Sequence, residues 1–316
     1  MKRTILLLLI PLLLLSGCSR KQQDPDTPYR IAVITMMQGG EFWGALKNGA
    51  RSARLATGAV LEFFAPVNES DYAGQVAFVE EAIEQGFDAI ILSPSHNAQL
   101  EQVVSKARSA GIKVVLADTG LLQVDPDFLI TADYQLIGEQ VAEHAFSHFG
   151  EEEPINALII GSLPNTTNMR DLIGSLESTF QQRENAHINT IAYSFSSEIL
   201  ARDTAANAIE ADPSINLVFA LEEYTAHGVA AALSPKHEIH FIAFGNTQHE
   251  IQLLEAEVID ALVVVNSFNL GYRSVLSAVE LLEGKKPAHK LVDFALVTKE
   301  SMFSEEHQHL LFQTFQ

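Results

Sequence analysis

Four side chains in this 316-residue chain are suited to holding a hydroxylated small molecule, and each stands just after a short apolar run. Phe42 and Trp43, the latter the sole tryptophan, offer flat apolar surface. The Asp118 carboxylate can accept two hydroxyl hydrogen bonds, and the Asn266 amide can donate and accept. Such a guest has apolar faces and polar rims, so a site for it needs flat aromatic surface together with fixed donors and acceptors. Each residue also has a plainer reading. Phe42 and Trp43 could pack a helix on a sheet, Asp118 could cap the segment that follows, and Asn266 could bond within its own loop.

Other chemistries find less support. His144 and His148 stand at i and i+4 of an expected helix, a spacing that can grip a divalent ion. No third ligand accompanies them in the sequence, and His307 and His309 lie in a tail among glutamates, so no metal site is assigned. G-x-S-x-G does not occur, and the one thiol, Cys18, has another use described below. Neither GxGxxG nor GxxxxGK[ST] is present, so nucleotide binding of either kind is not expected. We assign no catalytic residue and no cofactor.

Short β-branched runs position these residues. They are Ile31–Thr35, Val60–Phe64, Ala89–Leu92, Val114–Ala117 and Phe128–Thr131, then Ala157–Ile160, Thr190–Tyr193, Leu217–Ala220, His240–Phe244 and Ala261–Val265. Helix-like stretches fall between them, near 42–56, 72–85 and 97–110, then 168–182, 199–211, 224–233 and 248–256. Nearly continuous apolar strands separated by helices predict parallel sheets buried on both faces. Gly86, Gly111 and Gly150 each follow a helical stretch, where a left-handed cap is wanted. Two successive arrays imply two doubly wound α/β lobes, with ligands beyond the carboxyl ends of the strands.

The amino terminus and the charge bear on location. Lys2 and Arg3 precede an Ile/Leu-rich stretch, and Leu15-Ser16-Gly17-Cys18 closes it, the pattern of an export signal with a small-residue cleavage region. Removal of residues 1–17 would leave 18 basic residues against 40 acidic ones, a formal charge of −22. That surface repels phosphate backbones and anionic lipid headgroups, which argues against nucleic acid and against electrostatic membrane docking. Residues 18–29 read as a polar, flexible tether. One cysteine permits no internal disulfide, and no later run of 18 apolar residues is long enough to span a bilayer.

Several motifs together resemble the ribose/galactose sugar-binding family of the type I periplasmic-binding fold. Phe42-Trp43 followed by LKNGARSA is similar to the family's aromatic pair and its "K-x-G-A" helix. Gly86-Phe87-Asp88-Ala89-Ile90-Ile91-Leu92-Ser93-Pro94 resembles "G-x-D-x-I-I-x-x-P", and Ala110-Gly111-Ile112-Lys113-Val114-Val115 with Asp118 resembles "A-G-I-P-V-V…D". Asp133-Tyr134 with Gly138 is similar to the family's crossover, Asn266-Ser267-Phe268 with Gly271-Tyr272 to its return, and Leu282-Glu283-Gly284-Lys285 to the end of the next helix. Leu15-Ser16-Gly17-Cys18 resembles the bacterial lipoprotein signal, which implies diacylglycerol attachment at Cys18.

The resemblance implies two Rossmann-like lobes joined by a three-strand hinge, crossing near 130–133, 263–266 and 293–297. Lobe one would be 30–132 plus 267–293, and lobe two 133–265 plus 298–316. It also brings further residues to the site, with departures from the family pattern. The arginine often found after the aspartate is Thr119 here, and the second-lobe R-x-x-G-F is drawn out to Arg170-Asp171-Leu172-Ile173-Gly174-Ser175. Glu222 stands where an asparagine is frequent, and Gly245-Asn246 replaces an aspartate after Phe244. The expected ligand contacts are Phe42, Trp43, Asp118, Arg170, Glu222, Asn246 and Asn266. The altered charge pattern implies a ligand other than plain ribose, hydroxylated or amine-bearing. The implied activity is solute capture by a monomeric, lipid-anchored receptor on the extracytoplasmic face, without catalysis. Its partner would be the permease of an ATP-driven importer or a sensor kinase; an exported carbohydrate-active or metal-dependent enzyme is the rival class.

Overall fold

The computed structural model describes residues 27–233 and 239–312; Cys18 and the lipid attachment expected there lie outside the described residues. The first lobe carries β1 (Arg30–Ile34), β2 (Val60–Phe64), β3 (Ala89–Leu92), β4 (Lys113–Ala117) and β5 (Phe128–Ile130). These pair in parallel in the order β2-β1-β3-β4-β5. Helices α1 (Glu41–Thr57), α2 (Tyr72–Glu84) and α3 (Asn97–Ser109) connect them. The second lobe follows α4 (Tyr134–Phe146) with β6 (Ile155–Gly161), α5 (Thr167–Phe180), β7 (Ala186–Tyr193), α6 (Glu198–Ala211) and β8 (Leu217–Ala220). It continues through α7 (Glu223–Ala232), β9 (His240–Phe244), α8 (Gln248–Glu255) and β10 (Ala261–Val265). The chain then forms α9 (Ser267–Leu282), β11 (Phe294–Val297) and α10 (Glu305–Leu311). The second sheet has the order β11-β10-β9-β8-β6-β7.

The apolar strands fold this way because both sheet faces are covered. In β1, Ile31 and Val33 join one hydrophobic cluster while Ala32 and Ile34 join another, one on each face. All five residues of β10 are buried. Parallel pairing needs crossover helices, and these supply the cover. Thus the two α/β lobes expected from the alternating pattern are present.

The lobes are joined where three passes of the chain lie side by side. Thr131 pairs with Leu291, donating its N–H to the Lys290 carbonyl and accepting from Val292, each at 2.9 Å. The Asn266 N–H donates to the Asp293 carbonyl at 2.9 Å. This explains β11, which is antiparallel to β10. The chain leaves the second sheet after Val265 and re-enters beside the same point, so β11 must run back along β10.

Some local features differ from expectation. Thr131 forms an isolated bridge beyond β5. Gly86 and Gly111 have positive φ, at 68° and 87°, but Gly150 does not. Its helix α4 ends at Phe146, and the Gly150 N–H is instead held by the Glu153 carboxylate. For the same reason His148 lies in the turn after α4 rather than on a helix.

Helices α1 and α9 meet through a reciprocal glycine contact. A Cβ on Gly49 would stand 1.9 Å from the Phe268 carbonyl oxygen, and one on Gly271 would stand 1.9 Å from the Leu46 carbonyl oxygen. Neither obstacle is a side chain that can swing away, so a methyl group must part the backbones. Gly49→Ala and Gly271→Ala are each expected to cost about 1–3 kcal/mol by overpacking. Melting temperature should fall by at least ~2–4 °C. An unchanged melting curve for both variants would contradict this packing.

Candidate ligand-binding cleft

A cavity opens between the lobes at the carboxyl ends of strands from both sheets. Trp43 and Phe42 reach it from the first turn of α1, their rings edge-to-face with centroids 4.8 Å apart. Trp43 is 5% exposed, and its indole Nε1–H donates to Glu69 Oε1 at 3.0 Å. Packing and lining therefore coexist in this residue. Its partner Glu69, on the loop after β2, also accepts from the Ser196 hydroxyl of the second lobe at 2.7 Å.

Asp118 follows β4 with φ of 71°, uncommon for a residue with a side chain. Its carboxylate accepts from the Tyr134 hydroxyl and, at 2.8 Å, from Asn168 Nδ2 of α5. Thr119, at the position where the family pattern favours arginine, makes a neutral inter-lobe contact instead: its hydroxyl lies 2.9 Å from that of Thr167. Glu222 caps α7, accepting from the Tyr224 and Thr225 N–H groups at 3.0 and 3.1 Å. Asn246 lines the cavity while its Nδ2 donates to the Leu310 and Leu311 carbonyls at 3.3 and 3.1 Å.

Two expected residues stand apart from the cavity. The Arg170 guanidinium turns to Asp171 Oδ1, at 2.7 and 2.9 Å, with its side chain half exposed. Asn266 caps α9, its Oδ1 accepting from the Asn269 N–H at 3.0 Å, and it sits among the hinge passes. Neither belongs to the cavity lining.

Sequence reasoning passed over Glu223, Glu69, Tyr134 and Asn168. Glu223 is the most unusual of these. Gly40, which precedes α1, has no side chain to cap that helix, and Glu223 supplies the cap from the other lobe. Its carboxylate accepts from the Glu41 N–H at 3.1 Å and the Phe42 N–H at 3.4 Å. The helix N-terminus favours negative charge, so the contact is electrostatically sound. Glycine at position 40 is required twice over: φ is 90°, and a Cβ would lie 2.6 Å from Glu223 Oε1.

The lining thus contains four carboxyl groups, from Glu69, Asp118, Glu222 and Glu223, and among the described residues no lysine, arginine or histidine. Burial is the main reason their pKa values rise. Asp118 is raised to about 6, Glu223 to about 7 and Glu222 to about 8, with the negative charge of Glu69 adding to each. Glu69 itself is raised by burial against the opposing effect of its Ser196 and Trp43 hydrogen bonds.

The comparisons with known proteins agree with this architecture. A cleft of polar and aromatic side chains between two doubly wound lobes defines a solute receptor of the type I periplasmic-binding fold. Residues 31–286 match the periplasmic binding protein domain family, and the chain belongs to it, within the ribose/galactose group that the motifs resemble. It is 23% identical over 288 residues to the D-allose-binding periplasmic protein of Escherichia coli K12, covering 85% of this chain and 91% of the relative. It is 22% identical over 296 residues to the ribose import binding protein RbsB of Bacillus subtilis 168, covering 90% and 95%. An ABC transporter solute-binding protein from Agrobacterium vitis with bound D-fucose superposes with a TM-score of 0.83 at 25% identity, covering 90% of this chain and all of that one.

A pH dependence follows. Carboxyl groups with raised folded pKa values hold protons that the unfolded chain has already lost. Stability of the ligand-free protein should therefore be highest in mild acid and fall as pH rises from the ordinary carboxylate range through about 6, 7 and 8. Thermal melts from roughly pH 5 to 9 are expected to show this fall, and Glu222→Gln should flatten it by at least ~2–4 °C. Identical pH profiles for variant and wild type would show that Glu222 is not held protonated.

Proposed function

We propose that this protein captures a sugar-like small molecule carrying a protonated amine, by closing its lobes over it, and delivers it to an ATP-driven importer. The observation that carries this reading is the cleft lining, with four carboxyl groups, no basic side chain among the described residues, and the aromatic rings of Phe42, Trp43, Tyr134 and Tyr224. Aromatic faces suit the apolar face of a sugar ring and also attract a cation. The carboxyl groups accept hydroxyl hydrogen bonds when charged, and an ammonium group would relieve their mutual repulsion. Phe42, Trp43, Asp118, Glu222 and Asn246 are the contacts proposed from the sequence, with Glu69, Glu223, Tyr134 and Asn168 added. Arg170 and Asn266 serve a local ion pair and the hinge. The relatives named above for D-allose and ribose support a carbohydrate framework, and the word "import" in the second supports delivery to a permease.

In this reading the hinge is the three passes at 130–133, 263–266 and 293–297, with lobe one at 30–132 plus 267–293 and lobe two at 133–265 plus 298–316. The protein acts as a monomer, catalyses nothing, and is held at the extracytoplasmic face of the membrane by lipid on Cys18. Two acyl chains give the stable attachment that a single chain does not. Cys18→Ala should then move the protein from the membrane fraction to the medium or periplasm; retention of the variant in the membrane would remove the lipid from the account. A sensor kinase reading the same closure is the competing partner. Ligand-dependent ATPase stimulation in vesicles carrying the importer separates the two.

The ligand class is tested by a thermal-shift screen of neutral sugars, polyols, nucleosides and amino sugars near pH 7. A ligand at about 100 times its dissociation constant adds about 2.7 kcal/mol. Amino sugars are expected to shift the melt and quench or shift Trp43 emission, and Trp43→Ala should lose the shift. Stronger shifts from the neutral parent sugars would overturn the amine requirement, and turnover of any compound would overturn the receptor reading.

A further inference from the structure

Three histidines and an aspartate converge on the second lobe, at the end of its sheet away from the cleft. His144 lies in the last turn of α4 and His148 in the turn that follows. His240 begins β9, and Asp260 immediately precedes β10. The cleft is lined from the other end of β9, by Phe244, so the strand length alone separates the two places by about 13 Å. The cluster is therefore independent of the ligand site.

Its geometry is that of a chelate. One ligand atom from each of His148, His240 and Asp260 can be chosen so that all three lie within 4.8 Å of one another. His144 Nε2 faces His148 Nε2 at 3.4 Å, and His240 Nδ1 faces Asp260 Oδ2 at 3.2 Å. Ligand atoms at ordinary zinc distances, around 2.0–2.2 Å from a tetrahedral ion, stand about 3.3–3.5 Å apart. The His144–His148 and His240–Asp260 separations are close to that value, and the 4.8 Å limit on the other contacts leaves small side-chain shifts to close around an ion. The His148 and His240 rings lie 4.5 Å apart.

Supporting groups hold the donors in place. The Asp260 carboxylate also accepts from the Phe241 N–H at 2.7 Å, and the Phe149 ring packs on His240 with centroids 4.9 Å apart. Fixing a ligand through a further hydrogen bond is how metal sites orient their donors.

We propose that His148, His240 and Asp260 bind one transition-metal dication of the zinc class, with His144 beside His148 as the neighbouring donor. Imidazole and carboxylate donors select zinc, nickel or copper over magnesium and calcium. The bound ion would tie the end of α4 to the leading ends of β9 and β10. In a chain with a single cysteine, it would brace the lobe as an internal disulfide cannot.

The test uses the full chain stripped with EDTA and titrated with Zn2+ against a chromogenic zinc indicator. One equivalent should bind with a dissociation constant at or below micromolar, and bound Co2+ should show the strong visible absorption of four-coordinate geometry. The double variant His148→Ala/His240→Ala should bind at least tenfold more weakly. His307→Ala/His309→Ala should bind as wild type does. Melting curves in EDTA verify that the variants fold; if the double variant does not, Asp260→Asn replaces it. Equal zinc affinity in wild type and the double variant, or a Co2+ spectrum of the weak six-coordinate kind, would overturn the site.

Discussion

The cleft between the two lobes gathers four acidic side chains, and among the described residues no basic one lines it. Charge taken out of water is costly unless it is paired or hydrogen-bonded. Each carboxyl group here has fixed donors. Glu69 has the Trp43 indole and the Ser196 hydroxyl; Asp118 has Tyr134 and Asn168; Glu222 has the start of α7; Glu223 has the start of α1. Two of these solutions place the carboxyl group at a helix N-terminus, where exposed N–H groups and the helix dipole favour an anion. The donors satisfy the oxygens but do not cancel the charge, and the raised pKa values report the remainder.

Several contacts around these acids cross between the lobes. Ser196 reaches Glu69, Asn168 reaches Asp118, Thr167 reaches Thr119, and Glu223 reaches the first turn of α1. Glu222 is the exception, since both of its backbone donors belong to its own helix α7. A receptor must bind its ligand more tightly in the closed state for closure to follow capture.

The fold was legible because strand and helix signals do not depend on distant residues. Val60–Phe64, Ala89–Leu92, Leu217–Ala220, His240–Phe244 and Ala261–Val265 begin and end where their apolar runs do. Helix α4, expected only through the His144/His148 spacing and Gly150, starts with Asp133 as its cap; β11, expected only as a crossing near 293–297, lies antiparallel along β10; the short helix α10 had no expectation at all. Of the residues singled out just after strands, Phe42, Trp43, Asp118, Glu222 and Asn246 line the cavity. Arg170 was carried in by a motif with one residue too many, and in the structure it reaches no farther than its neighbour Asp171.

Glu223 shows why the rest of the site was not legible. In the sequence it is one of 40 acidic residues, beside a glutamate already chosen for its position after β8. Its role arises only because Gly40, 183 positions earlier, leaves α1 without a side-chain cap and leaves room for a carboxylate to approach. The glycine is the half of the pair that could have been noticed, since a glycine before an amphipathic run does not cap it. The same holds for the histidine cluster. His144 and His148 stood out by spacing, but their third and fourth partners open β9 and precede β10, and only sheet order brings those strands beside the end of α4. Sites assembled within one element are readable from spacing; sites assembled between elements become visible only when the strand order is known.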